Sequence, residues 1–348
     1  MGTRTMAGAL LVIAAVQAAR VPVRAQESRS AAVPKAASVP AVGVETAGKA
    51  ADRLADLLKR FPAKPSRSAG RAGLYLIDVE RGGVTLIADE PAPGLTHCGS
   101  ARWSGDGTRI LYDATPGNRW NRTRLGAIVA GDGRPERIDL GAGNCPSPSP
   151  DGRRIAFLQN TGAVPGAEAG VWVMQADGSG RRRLGSYGRP FWSPDGRKLL
   201  IVSFANPCTL ALMDVETGED RPVVLPKQRV DSVPSWAGAD TLVAVLGAGP
   251  GDTLAFLDVA DPGQVKVKEV LWKRGRAAAI DPAYPVFSAA ARRGVFVGVE
   301  PRGMAVYALS RAEPAAPRRL EPEGFDKTIA DLALSPGGRY VIFCSDRR

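Results

Sequence analysis

The sequence predicts an all-β chain: a six-bladed propeller of four-stranded antiparallel blades, preceded by one short helix. A repeated turn is the first reason. Trp192-Ser193-Pro194-Asp195-Gly196, flanked by apolar runs, recurs as Trp103-Ser104-Gly105-Asp106-Gly107, as Pro148-Ser149-Pro150-Asp151-Gly152 and as Leu334-Ser335-Pro336-Gly337-Gly338. Weaker copies at 236–241 and 287–294 fill the gap. The spacing is the second reason. With Ser104, Ser149, Ser193, Ala237, Ser288 and Ser335 as markers, successive copies lie 44 to 51 residues apart, the length a four-stranded blade needs. Composition is the third. Gly 40 and Pro 28 in 348 residues suit many short strands and turns, and 44% hydrophobic residues are ample for packing blades together.

Each turn reads as a tight hairpin. Pro194 presets φ at the second position, Asp195 is placed to accept backbone amides just beyond it, and Gly196 takes the positive φ that ends the turn. Asp106, Gly107, Asp151 and Gly152 repeat those roles. About half a period later, short apolar strands run into a second turn, as at Asp177-Gly178, at Asp214 to Gly218 and at Asp258. A blade is therefore strand A, the Ser-Pro-Asp-Gly turn, strand B, a loop, strand C, an Asp/Gly turn and strand D. Leu74 to Gly82 forms a C–D hairpin with no A–B hairpin before it, while the chain ends just after an A–B hairpin with no C–D hairpin following. The two halves complete one blade, closing the ring and removing open sheet edges.

These hairpins, with the terminal Ser345-Asp346-Arg347, resemble the TolB-type six-bladed propeller family built from PD-type, WD-like repeats. The resemblance covers about residues 71–348. It implies the fold, and it is nearly silent on activity, because the repeated residues are turn formers. TolB itself carries an α/β domain before the propeller. Only a short Ala/Pro-rich segment stands there here, so the expectation is a relative and not TolB.

Residues 1–25 read as a secretory signal: Arg4 as a short positive region, then an apolar run too short to span a bilayer comfortably. Residues 26–48 lack periodicity and read as a disordered Ala/Pro-rich linker. In 49–62, Leu54, Leu57, Leu58 and Phe61 fall at i, i+3, i+4 and i+7 before Pro62, the pattern of a short amphipathic helix expected to dock on the propeller. The propeller itself is assigned to 71–348.

In an up-and-down blade the A–B and C–D turns share one face, and the B–C and D–A connections share the other. Cys98, Cys145, Cys208 and Cys344 all map to the second face; in an exported chain they are candidates for disulfides or for buried thiols. His97, the only histidine, lies there too, and a structural or binding role is expected for it, since chemistry would need partners. No nucleotide-binding or nucleophile-elbow motif occurs, and no cofactor is expected. A hard-cation site would draw on Asp113, Asn144, Asn206, Asp231, Asp281 and Asp331, which are scattered through the blades; no metal is expected.

The formal charge is +11, with basic runs beside turns. That allows a diffuse attraction to anionic envelope polymers; nucleic acid is not expected for an exported propeller with few aromatics to stack bases. Two functions follow. One is a non-catalytic envelope propeller, in the periplasm or at the cell surface, that binds a protein or peptide at the mouth formed by its D–A and B–C loops. The alternative is a small-molecule or glycan hydrolase, lyase or lactonase using the same mouth; polysaccharide lyases on similar propellers use several histidines, which disfavours that branch. The binding candidates are His97, Arg119, Trp120, Arg122, Tyr187, Arg189 and Tyr284, with Trp120 and the two neighbouring arginines of the types that anchor interfaces.

Overall fold

The repeated turns close by one set of bonds. In the third copy the Ser193 hydroxyl donates to Asp195 (2.6 Å) and accepts from the Lys198 N–H (2.9 Å), while Asp195 also accepts from the Arg197 N–H (3.2 Å). Ser104 with Asp106 and Ser149 with Asp151 repeat this arrangement. The serine ties both ends of the hairpin and the aspartate caps its tip, so each copy specifies its own A–B pairing from a few adjacent residues.

The computed structural model describes residues 43–65, 72–117, 119–205, 207–225, 228–247, 253–273, 280–310, 317–321 and 328–346. The expected signal (1–25), the linker as far as residue 42, and Asn206 lie outside them. Six antiparallel sheets follow one another along the chain. Blade one comprises His97–Trp103, Arg109–Thr115, Arg124–Ala130 and Pro135–Ala142; blade two Asn144–Pro148, Arg154–Gln159, Gly170–Gln175 and Arg182–Gly185; blade three Arg189–Trp192, Lys198–Val202, Leu210–Asp214 and Asp220–Pro222. Blade five comprises Asp281–Ser288, Arg293–Glu300, Gly303–Ser310 and Arg318–Arg319. In blade four, strands B to D are Thr241–Gly247, Thr253–Asp258 and Lys266–Lys273, whereas strand A is split into Arg229–Val230 and Ser235–Gly238, both paired with strand B. The break falls where Pro234 offers no N–H to the ladder.

The sixth blade joins the two ends of the propeller. Ile329–Leu334 and Tyr340–Ser345 supply strands A and B, and Gly73–Asp78 and Gly82–Ala88 supply C and D. Pairing runs in register from Gly73 opposite Ser345 to Asp78 opposite Tyr340. Each blade-to-blade interface has its own apolar core; Phe157, Leu111 and Leu125 fill the one between blades one and two, and Phe343, Ile77 and Val297 the one between blades five and six.

The helix α1 runs Val44–Arg60, beginning earlier than the spacing of large apolar residues indicates. Its first turns bury alanines, Ala47 and Ala51, along with Leu54, Ala55 and Leu58. Small residues do not register in a periodicity of leucines, yet they let the helix backbone settle on the A–B turns of blades one and six. Asp52 pairs with Arg339 (3.3 Å), and the Lys59 ammonium donates to the Tyr340 hydroxyl (2.9 Å). The helix thus straps the seam where the ring closes. No helix among the described residues is long and apolar enough to cross a membrane.

This docking makes a testable distinction between two equivalent glycines. Gly107 and Gly152 share a left-handed φ of 73° and 70°, so alanine at either costs about 1–2 kcal/mol. A β-carbon on Gly107, however, would fall 2.1 Å from the Ala47 carbonyl oxygen, while one on Gly152 first meets the flexible Asp106 carboxylate at 3.2 Å. Gly107→Ala is therefore expected to lower stability by about 2 kcal/mol more than Gly152→Ala, through partial loss of Leu54 and Leu58 burial. It should also speed tryptic cleavage after Lys59 or Arg60. Equal losses in the two variants, measured by urea unfolding, would show that the helix does not need this approach.

Candidate binding site

Strand A of every blade borders the central channel, so one of its edges has no neighbouring strand. Proline tolerates that position because its missing N–H deprives no partner. Three residues before the marker of each turn, four blades carry proline: Pro146, Pro190, Pro234 and Pro285. One residue earlier stand Ser100, Cys145, Arg189, Val233, Tyr284 and Asp331. Ser100, Cys145, Tyr284 and Asp331 hold φ of 49°, 50°, 48° and 57°, and the A–B register slips at each of these four places. A bulge with a left-handed, non-glycine residue is strained, costing of order 1–3 kcal/mol, and it re-aims the side chain. Each freed amide is taken up by the preceding blade in three of them. The Ser100 N–H donates to Asp331 (3.3 Å), the Cys145 N–H to Asp113 (2.8 Å) and the Tyr284 N–H to the Ser232 hydroxyl (2.8 Å).

At this level a charge pair crosses the ring. Arg189 of blade three donates to Asp331 of blade six at 3.4 Å, and in a six-bladed ring those blades face each other. Arg189 is only 7% exposed and Asp331 9%. Burial works against the Arg189 charge, yet the Asp331 carboxylate holds its pKa above the usual arginine value. The Phe204 ring covers the guanidinium at 5.0 Å. Asp113 lies close by at 5% exposure. Burial pushes its carboxyl up to about 6, opposed by the Cys145 N–H and reinforced by the Asp331 charge. The pair spans the ring between blades three and six.

On the side of the D–A and B–C connections lies the mouth. Three blades contribute one bonded chain there. The Tyr187 hydroxyl donates to the Asn160 amide oxygen (2.9 Å), and the Asn160 amide nitrogen donates to the Trp120 carbonyl (3.0 Å). That carbonyl also accepts from Thr123 (2.9 Å) and Asn144 (3.4 Å), which fixes the short 3-10 turn Trp120–Arg122. Tyr187 leans on Phe204 with centroids 5.9 Å apart and is 45% exposed. Arg119 and Arg122 are exposed and Trp120 is half-buried.

On the turn side lies a cavity of about 220 Å³. All six A strands line it, with Arg102, Trp103, Phe191, Trp192, Trp236 and Phe287 prominent. Arg102 comes from blade one and stacks over Phe191 of blade three at 5.0 Å. Burial lowers its pKa from the usual arginine value, and Asp331 opposes that shift.

The sequence candidates thus fall into separate places. Tyr187 and Trp120 belong to one network at the mouth, with Arg119 and Arg122 beside it. Tyr284 lines the turn-side cavity, and its hydroxyl is pushed up to about 12 by burial, then by the Asp331 charge. Arg189 is no rim residue, since the ion pair buries it. His97 begins strand A of blade one with its Nδ1 2.9 Å from the Thr96 hydroxyl. All four cysteines are free thiols. Cys98 and Cys344 meet at the blade six–blade one seam, where the Cys344 thiol donates to the Cys98 carbonyl (2.8 Å). Cys145 accepts from the Ser100 hydroxyl (3.6 Å). Burial pushes the Cys145 thiol up to about 12 and raises the other three, so none is a ready nucleophile. Asp113 and Asp331 of the hard-cation candidates lie close enough to interact, and among the described residues no three His, Cys, Asp or Glu side chains gather to hold a metal. Arg102, Asn160 and Phe204 escaped the sequence reading. In four of the six blades a proline three residues before the marker locates the strand that borders the channel, but blade one, which holds Arg102, has Ala101 there, and Asn160 and Phe204 lie on B–C connections that no repeated residue marks.

No protein-family profile matches the chain, and no curated protein matches it. Solved structures do. A protein of Agrobacterium tumefaciens assigned as TolB shares 17% identity at a TM-score of 0.56, over 79% of this chain and 98% of that one. TolB from Acinetobacter baumannii shares 15% over 81% and 65%, with a TM-score of 0.47. An oligogalacturonate lyase in complex with manganese shares 12% over 78% and 82%, with a TM-score of 0.50. At such identities the likeness speaks for the fold alone, and that fold is the TolB-like six-bladed propeller.

Proposed function

We propose that this chain is a non-catalytic propeller that binds a protein or peptide segment through the mouth formed by its D–A and B–C loops. One observation carries the reading. Tyr187 is exposed, yet its hydroxyl and ring are both held, by Asn160 and Phe204, beside the Trp120 turn with two exposed arginines. A fixed aromatic next to fork-shaped cations offers contact area at little entropic cost. The Arg189–Asp331 pair spans the ring beneath the mouth, and in this reading a partner rests on the mouth and does not thread the ring. Catalysis fits less well: the buried carboxylates there are engaged by Arg189 and by backbone amides, and the thiols are protonated. Export to the envelope is part of the proposal and rests on residues 1–25.

The test is a phage-displayed random dodecapeptide library panned on the intact chain. Enriched peptides should lose about tenfold or more in affinity on Tyr187→Ala, with the melting temperature shifted by less than about 2 °C, as expected for an exposed side chain. Absence of enrichment, or peptides indifferent to Tyr187→Ala and to Trp120→Ala, would overturn the reading. A Trp120→Ala protein that melts early and keeps its peptides would make Trp120 a packing residue and leave Tyr187 as the anchor.

A further inference from the structure

The turn-side cavity has one cation on its wall, Arg102, and one acid, Asp331. Trp103 and Trp192 are each 6% exposed and contribute apolar ring surface, with their indole N–H groups buried in the blade interfaces. Arg102, which shares the wall, gives one N–H to its neighbour's carbonyl, Ala101, at 2.6 Å. Three other polar groups on the wall are matched. Trp236 donates to the Phe191 carbonyl (2.9 Å) and Ser235 to the Pro285 carbonyl (2.8 Å), while the Ser147 hydroxyl accepts from the Trp192 backbone N–H (2.9 Å). Asp331, the one acid on the wall, is held by Arg189 and by the Ser100 N–H. The Arg102 guanidinium is left with donors to spare on the cavity wall, and half-buried donors are stabilised by an entering acceptor.

The size and the charge narrow the ligand. About 220 Å³ is below the usual range for a drug-sized molecule, and the walls of Phe191, Trp192, Trp236 and Phe287 favour an apolar body. A guanidinium fork matches two oxygens of one planar group. A single arginine, with Asp331 on the same wall, suits one negative charge; a doubly charged phosphate would meet the acid with one cation to offset it.

We infer that this cavity is a second binding site, independent of the mouth, which takes the carboxylate of a small apolar acid or of a polypeptide C-terminus, gripped by the Arg102 guanidinium. The ligand enters from the face carrying the A–B turns, opposite to the mouth. The two sources share one chemistry, and they differ in what lies behind the carboxylate.

Three of the six tryptophans line the cavity, so intrinsic fluorescence reports occupancy. The intact chain is titrated with acetate, benzoate, N-acetyl-phenylalanine and the peptide Gly-Gly-Phe with a free carboxyl end, each beside its amide. At least one acid should saturate the signal below about 10 mM, and it should bind about tenfold or more tighter than its amide. Arg102→Met, which keeps the stem and removes the fork, should bring acid and amide within about twofold of each other. Should that variant not fold, Arg102→Lys carries the test, because it keeps the charge and loses the two-pronged geometry; the acid preference should fall several-fold. Tyr187→Ala should leave every titration unchanged, which separates this site from the mouth. A tripeptide binding more tightly than the small acids identifies a chain terminus, and small acids binding equally well identify a free carboxylic acid; both support the inference. Acids and amides binding alike, no acid saturating a folded protein, or a preference that survives the loss of the fork would overturn it.

Discussion

Phe343→Ala is expected to lower the unfolding free energy by about 3–5 kcal/mol, the range for an emptied aromatic site in a packed core, and to open the ring at one place. Phe343 is fully buried in the strand from the C-terminal end and stacks on Tyr75, in the strand from the N-terminal end, with centroids 5.5 Å apart. It also packs in the cluster that joins blades five and six. Its loss removes apolar contact on both sides of the closure, leaving the ends joined by the backbone register from Gly73 to Asp78, the Arg339–Asp78 ion pair and a thinner apolar core. Hydrogen exchange should then speed first in Gly73–Ala88 and Ile329–Ser345, before the middle blades respond. Phe157→Ala, an equally buried ring between blades one and two, is the control, with a similar loss and no selective exposure of those segments. Uniform exchange in both variants would mean that the closure is no weaker than any other blade interface.

Asp113→Asn is expected to change the pH dependence of stability more than its value at one pH. The Asp113 carboxyl titrates near 6 in the folded protein, because it is buried and because Asp331 is close. The ordinary aspartate value is 3.8, so between those two pH values the folded state holds a proton that the unfolded chain has released. Stability from this group is therefore fully present below about 4 and is lost as pH rises through 6. The loss amounts to about 3 kcal/mol for a shift of that size. Asparagine keeps an oxygen for the Cys145 N–H and has no charge to bury. The difference in unfolding free energy between Asp113→Asn and the parent should move by about 2 kcal/mol in favour of the variant between pH 4 and pH 7, since at pH 4 part of the shift has already been expressed. Urea midpoints at the two pH values measure it, and a difference that stays constant would place the Asp113 titration outside that window.

Much of the architecture was legible because its determinants are local. The Ser193, Pro194, Asp195 and Gly196 side chains and backbone close one hairpin among themselves, so four adjacent residues carry the signal and its repetition gives the period. The unpaired hairpins at the two ends announced the closing blade for a similar reason: a lone C–D unit and a lone A–B unit have unsatisfied edges that only each other can cover. Where the helix begins was less legible, since Ala47 and Ala51 bury without the size that marks an apolar stripe.

The candidate site divides along the same line. Residue type and strand position together brought Tyr187 and Trp120 to one face, because alternation in an up-and-down blade sends every B–C and D–A connection to the same side. The partnership of Arg189 with Asp331, 142 residues apart, exists only once six blades have formed a ring that sets blade three opposite blade six. From the chain alone Arg189 is a cation near a loop, free to meet a partner; in the folded ring its charge has no water, and the carboxylate across the channel is the group that stabilises it. Tertiary structure likewise decided that Arg102 and two indoles share one cavity, since they come from blades one and three and meet only around the common axis. Local bonding determined the blades from sequence, and long-range burial of charge decided what each side of the ring can bind.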